Sequence, residues 1–462
     1  MRQGRNSAFF NLVFLILAIL SAGNCFALDF SVFVVRGFEG KGPLEFNYPE
    51  DLLITEDGRI IVADQKNNRL QVLSKDGDFI RFIPQLQQLS ESADEAEKIA
   101  NQKNFEELQN QLKKPAGLAM DKDGRLYVSC QDTNQILIID FESGKLLGKL
   151  GKTGKGQGQL RSPMDIDVDS SGRIAVAEWR NQRVQILDQN GKCLKEIIYN
   201  EETKRGYKPV SPRGVFWTVE GKLLVTYPLF NQVVCWNVDN GELLWRYGIK
   251  GSDRGMLHNP SYITNSTDGR FLISDTLNHR LVEISRDGKY YQNYNVRKGS
   301  APGRLISPRG IMLNKEGTLV IADQGNNRIH FFQPGQATLM LREVKELALK
   351  DDWQSAMPKI ERILYLQPNN SQARELMVNA LYYFGDKAFA EGEYLKAEEN
   401  FRRVLRYRPD DPNIPEKLDA IFWASNQGLI ANVVFGIIAI VVALILIWIL
   451  KVIVYRFILS RK

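Results

Sequence analysis

Between residues 49 and 332 apolar and polar positions alternate with a period of two in short runs, and the runs themselves recur. Six stretches share one order: a proline, an alternating segment, a glycine turn, an apolar run ending near Asp and Asn-Arg, then a further apolar run. The turns and the runs after them read ITEDGRIIVADQKNNRLQVL (54–73), MDKDGRLYVSCQDTNQILII (120–139) and VDSSGRIAVAEWRNQRVQIL (168–187). The other three read WTVEGKLLVTYPLFNQVVCW (217–236), NSTDGRFLISDTLNHRLVEI (265–284) and LNKEGTLVIADQGNNRIHFF (313–332). The opening prolines, Pro49, Pro115, Pro163, Pro212, Pro260 and Pro308, stand 66, 48, 49, 48 and 48 residues apart. The long first interval places a polar, Glu/Gln/Lys-rich insertion at 85–114, with Leu and Ile at helical spacing. One or two rim helices are expected there.

A unit of this size holds four short strands, and Asp57-Gly58, Asp123-Gly124, Glu220-Gly221, Asp268-Gly269 and Glu316-Gly317 supply the positive φ of tight hairpins. The pattern therefore predicts a mainly β fold, a six-bladed β-propeller over 28–334. Gly-rich connections such as LGKLGKTGKGQGQLRSP (147–163) and YGIKGSDRGMLHNP (247–260) join the units. The segment FSVFVVRGFEGKGPLEFNYP (30–49) is a fourth strand and connection with no unit before it, while the sixth unit stops one strand short. Pairing the two closes the ring and hides its sheet edges.

The segments 62–73, 273–284 and 321–332 resemble NHL repeats, and pattern, period and count agree with the six-bladed propellers of that family. This sequence departs from the family at Cys130, Glu178 and Tyr227, where Asp is usual, and at Gln135 and Gln232, where Arg is usual. The peptidyl-hydroxyglycine lyases, relatives built on NHL repeats, hold zinc with three histidines from separate blades. Here His258 and His279 share one unit and His330 falls within a strand, so that ligand set does not match.

After residue 334 the period turns helical. EGEYLKAEENFRRVLRYRP (391–409), with Gly385 before it, resembles a tetratricopeptide repeat, and Trp353, Ala356, Ile360, Ile363 and Pro368 form a weaker copy. Two such repeats are expected over 336–411, with a capping helix at 412–428. They offer either a peptide groove or a stiff spacer and homodimer contact. The run VVFGIIAIVVALILIWIL (433–450) is long enough with its flanks to cross a bilayer, which gives one transmembrane helix over 429–450. Phe422, Trp423, Trp448 and Tyr455 suit the two interfaces, and Lys451, Arg456, Arg461 and Lys462 make 451–462 a basic tail expected in the cytoplasm. At the other end Arg2 and Arg5, the apolar run 9–20 and Cys25-Phe26-Ala27 have the layout of a signal peptide over 1–27. The domains between are then extracytoplasmic, on a single-pass membrane protein.

Composition narrows the partners. A net charge of +6 spread over 462 residues without a basic block gives no reason to expect nucleic acid. Beyond the leader Cys130, Cys193 and Cys235 remain, an odd and widely spaced set that reads as buried free thiols. The repeated Asp and Arg (Asp64, Asp275, Asp323; Arg69, Arg183, Arg280, Arg328) occur once per unit and read as scaffold. Candidate contacts lie where the units differ. One face of the ring should carry Asp165, Arg213, Tyr262 and Arg309, with Glu50, at the channel mouth, and Trp179, Arg180, Leu229 and Phe230 on the loops of units three and four. Aromatic and apolar groups beside an arginine suit a protein or glycan contact. No catalytic triad, phosphate loop or cofactor motif is present, which favours a membrane-anchored binding or scaffold protein. The alternative is a divalent-metal-dependent propeller lyase or hydrolase, resting on fold analogy.

Overall fold

The computed structural model of the protein describes residues 30–86, 94–203, 206–266, 269–294, 298–368 and 370–459. The expected signal peptide at 1–27, residues 87–93 of the insertion and the end of the basic tail at 460–462 lie outside them. The described residues up to Gly335 form one compact unit and those from Gln336 onward a second.

The first unit is a six-bladed β-propeller. Blade one, in order from the channel outward, is Pro49–Ile54, Ile60–Asp64, Arg69–Leu73 and Phe79–Ile83. Blades two, three and five repeat that antiparallel order from Pro115–Met120, Pro163–Val168 and Pro260–Asn265. In blade four the innermost strand is short and starts at Val215 rather than at its proline. Blade six supplies three strands, and Phe30–Arg36 pairs with Arg328–Pro334 as its fourth, closing the ring. Within the insertion the described residues form one helix, α1 (Glu95–Gln111), whose Asp94 side chain caps the Glu97 N–H at 2.8 Å.

The alternation of each strand feeds two seams, so the core is divided into six parts, one between each pair of neighbouring blades. The seam of blades six and one buries Leu52, Val62, Ile329 and Phe331; that of three and four buries Ala177, Val184, Val225 and Trp236. Each seam is stoppered by one apolar residue from the connection above it: Phe46, Leu112, Leu160, Val210, Leu257 and Leu305. Around the axis the inner strands approach so closely that alternate blades use glycine. A Cβ on Gly117 would lie 2.5 Å from the Asp165 Cα, and one on Gly310 would lie 2.7 Å from the Asp51 Cα.

The second unit packs α2 (Gln336–Ala348), α3 (Trp353–Leu366), α4 (Ser371–Ala390), α5 (Tyr394–Tyr407) and α6 (Ile414–Ser425) consecutively around one core. Trp353, Ala356, Ile360 and Ile363 of α3 are buried in it, as are Ala397 and Phe401 of α5. Gly385 lets the Phe401 ring sit against the α4 backbone, where a Cβ would come within 2.7 Å. The last helix, α7 (Gln427–Leu459), is apolar on all sides, and its stretch Gln427–Ile453 is long and apolar enough to cross a membrane.

Candidate functional site

The connections between blades and the loops after the second strands meet on one face of the propeller, the linker face. Backbone bonds join them: Trp179 N–H to Ser162 O at 3.1 Å, Leu277 to His258 at 3.0 Å and Gly325 to Ile306 at 2.8 Å.

Most of the repeated polar residues are spent on holding this face together. In blades one, three, five and six an acid, an Asn and an Arg clamp the connection that precedes the blade. In blade three Glu178 accepts from the Arg161 N–H (3.0 Å), Asn181 donates to Gly154 O (2.9 Å), and Arg183 donates to Lys155 O, Gly156 O and Gln159 O (2.8–2.9 Å). Asp64, Asp275 and Asp323 make the same bonds with Arg69, Arg280 and Arg328. Blades two and four lack the clamp because their connections are different. Helix α1 precedes blade two, and a hairpin (Asn200–Thr203 with Gly206–Pro209) precedes blade four. Cys130 and Tyr227 therefore pack as buried apolar side chains, and burial pushes the Cys130 thiol up to about 12.

A second device bolts five of the six blades to the next. A left-handed residue after the loop accepts a backbone N–H from the following blade's entry: Asn68 from Lys114, Asn134 from Ser162, Asn231 from Asn259, His279 Nδ1 from Ser307 and Asn327 from Tyr48, all at 2.7–3.0 Å. Asn tolerates that backbone conformation, which explains its recurrence. Sequence reasoning missed these residues, although Asn before Arg or Gln in four of the six units was the signal.

Asp165, Arg213, Tyr262 and Arg309 come together with Glu50 inside the channel. Arg213 is ion-paired with Glu50, which also accepts from Tyr262 Oη at 3.3 Å and from Gln324 Nε2 at 2.5 Å. Burial would raise the Glu50 pKa, but Arg213, Arg309 and these hydrogen bonds hold it below the ordinary carboxylate range. Arg309 donates to Gln324 Oε1 at 3.1 Å and to Ser261 Oγ at 2.6 Å. Deeper, Asp51 accepts from the Leu118 N–H and Asp165 from the Val215 N–H, both at 2.9 Å. Burial raises both carboxyls well above their usual range, and the charge of Asp51 adds to it at Asp165. Asp167, accepting from Trp217 N–H at 2.6 Å, is pushed to about 7 by burial.

The loop candidates divide. Arg180 is exposed and Leu229 is 62% exposed, whereas Trp179 is half-buried and Phe230 packs against the blade three–four core. Leu277, at the loop position of Leu229 in the next blade, is 45% exposed and was not among the candidates. Among the described residues no group of three or more His, Cys, Asp and Glu side chains is placed to hold a metal ion, and His330 lies fully buried in its strand.

The NHL repeat model matches residues 46–73, which span the first repeat. The chain is 42% identical over 124 residues to NHL repeat-containing protein 3 of Homo sapiens, covering 24% of this chain and 34% of that protein. It is 29% identical over 154 residues to protein brain tumor of Drosophila melanogaster, covering 33% of this chain and 12% of that one. A probable peptidyl-alpha-hydroxyglycine alpha-amidating lyase, pgal-1 of Caenorhabditis elegans, is 25% identical over 177 residues, covering 37% of this chain and 48% of that one. The chain thus spans about a third or less of the first two relatives and about half of the third.

Proposed function

Starting from a six-bladed β-propeller that carries the NHL repeat, we propose a membrane-anchored binding and scaffold protein, with the linker face docking an extracytoplasmic protein. The observation that carries this reading is the apolar substitution of neighbouring loops. Blades four and five present Leu229 and Leu277 to solvent, beside the exposed Arg180 of blade three, where blades one and six have Lys66 and Gly325. These leucines lie outside all six seams, so folding gives no reason for them. They sit on one-turn 3-10 loops fixed by backbone bonds, so a partner that covers them meets a preorganised surface. A glycan would use the polar groups around them instead, and the matched NHL repeat supports the protein reading. Helix α7 serves as the membrane anchor in this reading, and the basic residues that follow its apolar run favour a cytoplasmic end. The helices α2 to α6 would supply a second contact, for a peptide or for another copy.

The test is crosslinking recovery of partners by the full-length protein in its own membrane. Replacing Leu229 and Leu277 together by Asp should deplete the recovered protein at least about tenfold while leaving the melting temperature unchanged. Unchanged recovery would remove the linker face from consideration.

A further inference from the structure

The charges of the propeller are not shared evenly between its two faces. On the face opposite the linker face the strand turns pair theirs: Asp57 with Arg59 at 2.7 Å, Asp123 with Arg125 at 3.2 Å and Glu220 with Arg286 at 3.2 Å. The linker face over blades three to six does not. The connections before blades three, five and six (151–162, 248–259 and 298–307) and the loops they bond to (179–182, 276–279 and 324–327) carry eight lysines and arginines against one acid, Asp253. None of the eight has an ion-pair partner among the described residues, and all but Arg161 are exposed. The clamp arginines beneath add no net charge, because Glu178, Asp275 and Asp323 neutralise Arg183, Arg280 and Arg328. The segment before blade four, 199–211, has three bases and two acids and leaves the excess in place. The whole chain is nearly balanced, 60 basic residues to 54 acidic, so the excess belongs to this face and not to the composition.

The exposed apolar groups set among these charges are aliphatic: Leu229 at 62%, Ile249 at 60% beside Lys250, and Leu277 at 45%. Among the described residues of this region no exposed aromatic ring joins them, since Trp179 is half-buried and Phe230 packs against the core. A nucleic-acid strand would call for rings on which its bases stack. A surface that offers only phosphates would gain nothing from the leucines. The mixture rewards a ligand that carries apolar side chains beside its negative charges, as a protein segment does.

We propose that the linker face over blades three to six takes an acidic segment of a partner protein, with carboxylates on Arg180, Lys250 and their basic neighbours and aliphatic side chains on Leu229, Ile249 and Leu277. This rests on the reading of the linker face as a docking surface and adds the chemistry of its partner. Several unpaired like charges on one face raise the local concentration of an acidic partner and orient its approach, while the aliphatic contacts hold it once docked.

The probe is a fluorescent peptide of alternating Glu and Leu, titrated by anisotropy against the full chain in nanodiscs of uncharged lipid, with empty nanodiscs as the blank. It should bind saturably, at least about tenfold more tightly than a Lys/Leu or a Glu/Ser peptide, and weaken as salt is raised. Arg180→Glu with Lys250→Glu should weaken it at least about tenfold. The melting temperature should not move, because both side chains are exposed and unpaired. Lys75→Glu with Lys122→Glu, on the opposite face, should bind as wild type. The crosslinking experiment separates this inference from the reading beneath it. Recovery that is lost on changing Leu229 and Leu277 but kept after Arg180→Glu with Lys250→Glu leaves the docking face in place and overturns the acidic partner. Absence of saturable binding by the Glu/Leu peptide overturns it as well. So does equal binding of the Glu/Ser peptide, which would reduce the face to charge alone, or tighter binding of a uridine oligonucleotide, which would make nucleic acid the ligand.

Discussion

His330 shows how much one position can depend on its neighbours in the repeat. In blades one and three the same site holds Gln71 and Gln185, whose amides donate to the carbonyls of Glu45 (2.6 Å) and Gln159 (2.9 Å) and to the clamp acids Asp64 and Glu178. In blade six the fully buried imidazole has no hydrogen-bond partner on either nitrogen. The nearest Asp323 oxygen, 3.5 Å away, is already engaged by Asn326 and Arg328. Burial and the Arg328 charge push its pKa down to about 3. The unfolded chain takes up this proton below about pH 6.5 and the folded chain does not, so His330 subtracts stability as pH falls from 6.5 towards 3. His330→Gln should restore the amide bonds, raising stability by about 1 kcal/mol at pH 7.5. The gain over wild type should grow to about 3 kcal/mol at pH 5, because about 2 kcal/mol of protonation cost disappears. Denaturant titrations at the two pH values read both; a gain that does not grow on acidification would mean that the imidazole is solvated or paired.

At the scale of the element the clamp accounts for why the repeat is both regular and broken. Its acid is buried, so removing only the arginine leaves an uncompensated carboxylate and three unpaired carbonyls. Arg280→Gln should cost about 3–5 kcal/mol and open the connection at 248–259 to limited proteolysis. The double change Asp275→Asn with Arg280→Gln should cost clearly less than the two single losses added, because no buried charge remains; additive losses would show that the pair is not coupled. The blades were legible in the sequence because proline spacing, turn glycines and the Asp/Asn-Arg ending all reflect local geometry. So were the departures at Cys130 and Tyr227, but their meaning was not: each answers a connection, α1 or the hairpin at 200–209, that carries no repeated signature. The channel was half legible. Repeat position placed Arg213 and Arg309 near the axis, yet the pairing of Arg213 with Glu50 across 163 residues exists only once the ring is closed.

Closure is a property of the whole propeller, and it rests on a few local attachments. The strand Phe30–Arg36 pairs antiparallel with Arg328–Pro334 and places Val34 against the core of the seam between blades six and one. From the end of the same strand Arg36 reaches blade one, donating to Gly77 O at 3.2 Å and to Asp78 at 3.1 Å. The Tyr48 N–H bond to Asn327 is a second fastening of the same seam. Without the strand, Arg328–Pro334 becomes an unpaired edge rich in apolar residues, a template for association with other chains. Val34→Asp puts a charge against that core and should cost about 2–3 kcal/mol, lowering the propeller's melting temperature. Deleting 30–36 should go further, abolishing a cooperative transition and shifting the protein to large species in size-exclusion chromatography. Leu349→Asp, at a site 88% exposed in the helical unit, serves as the charge control and should leave the propeller transition in place.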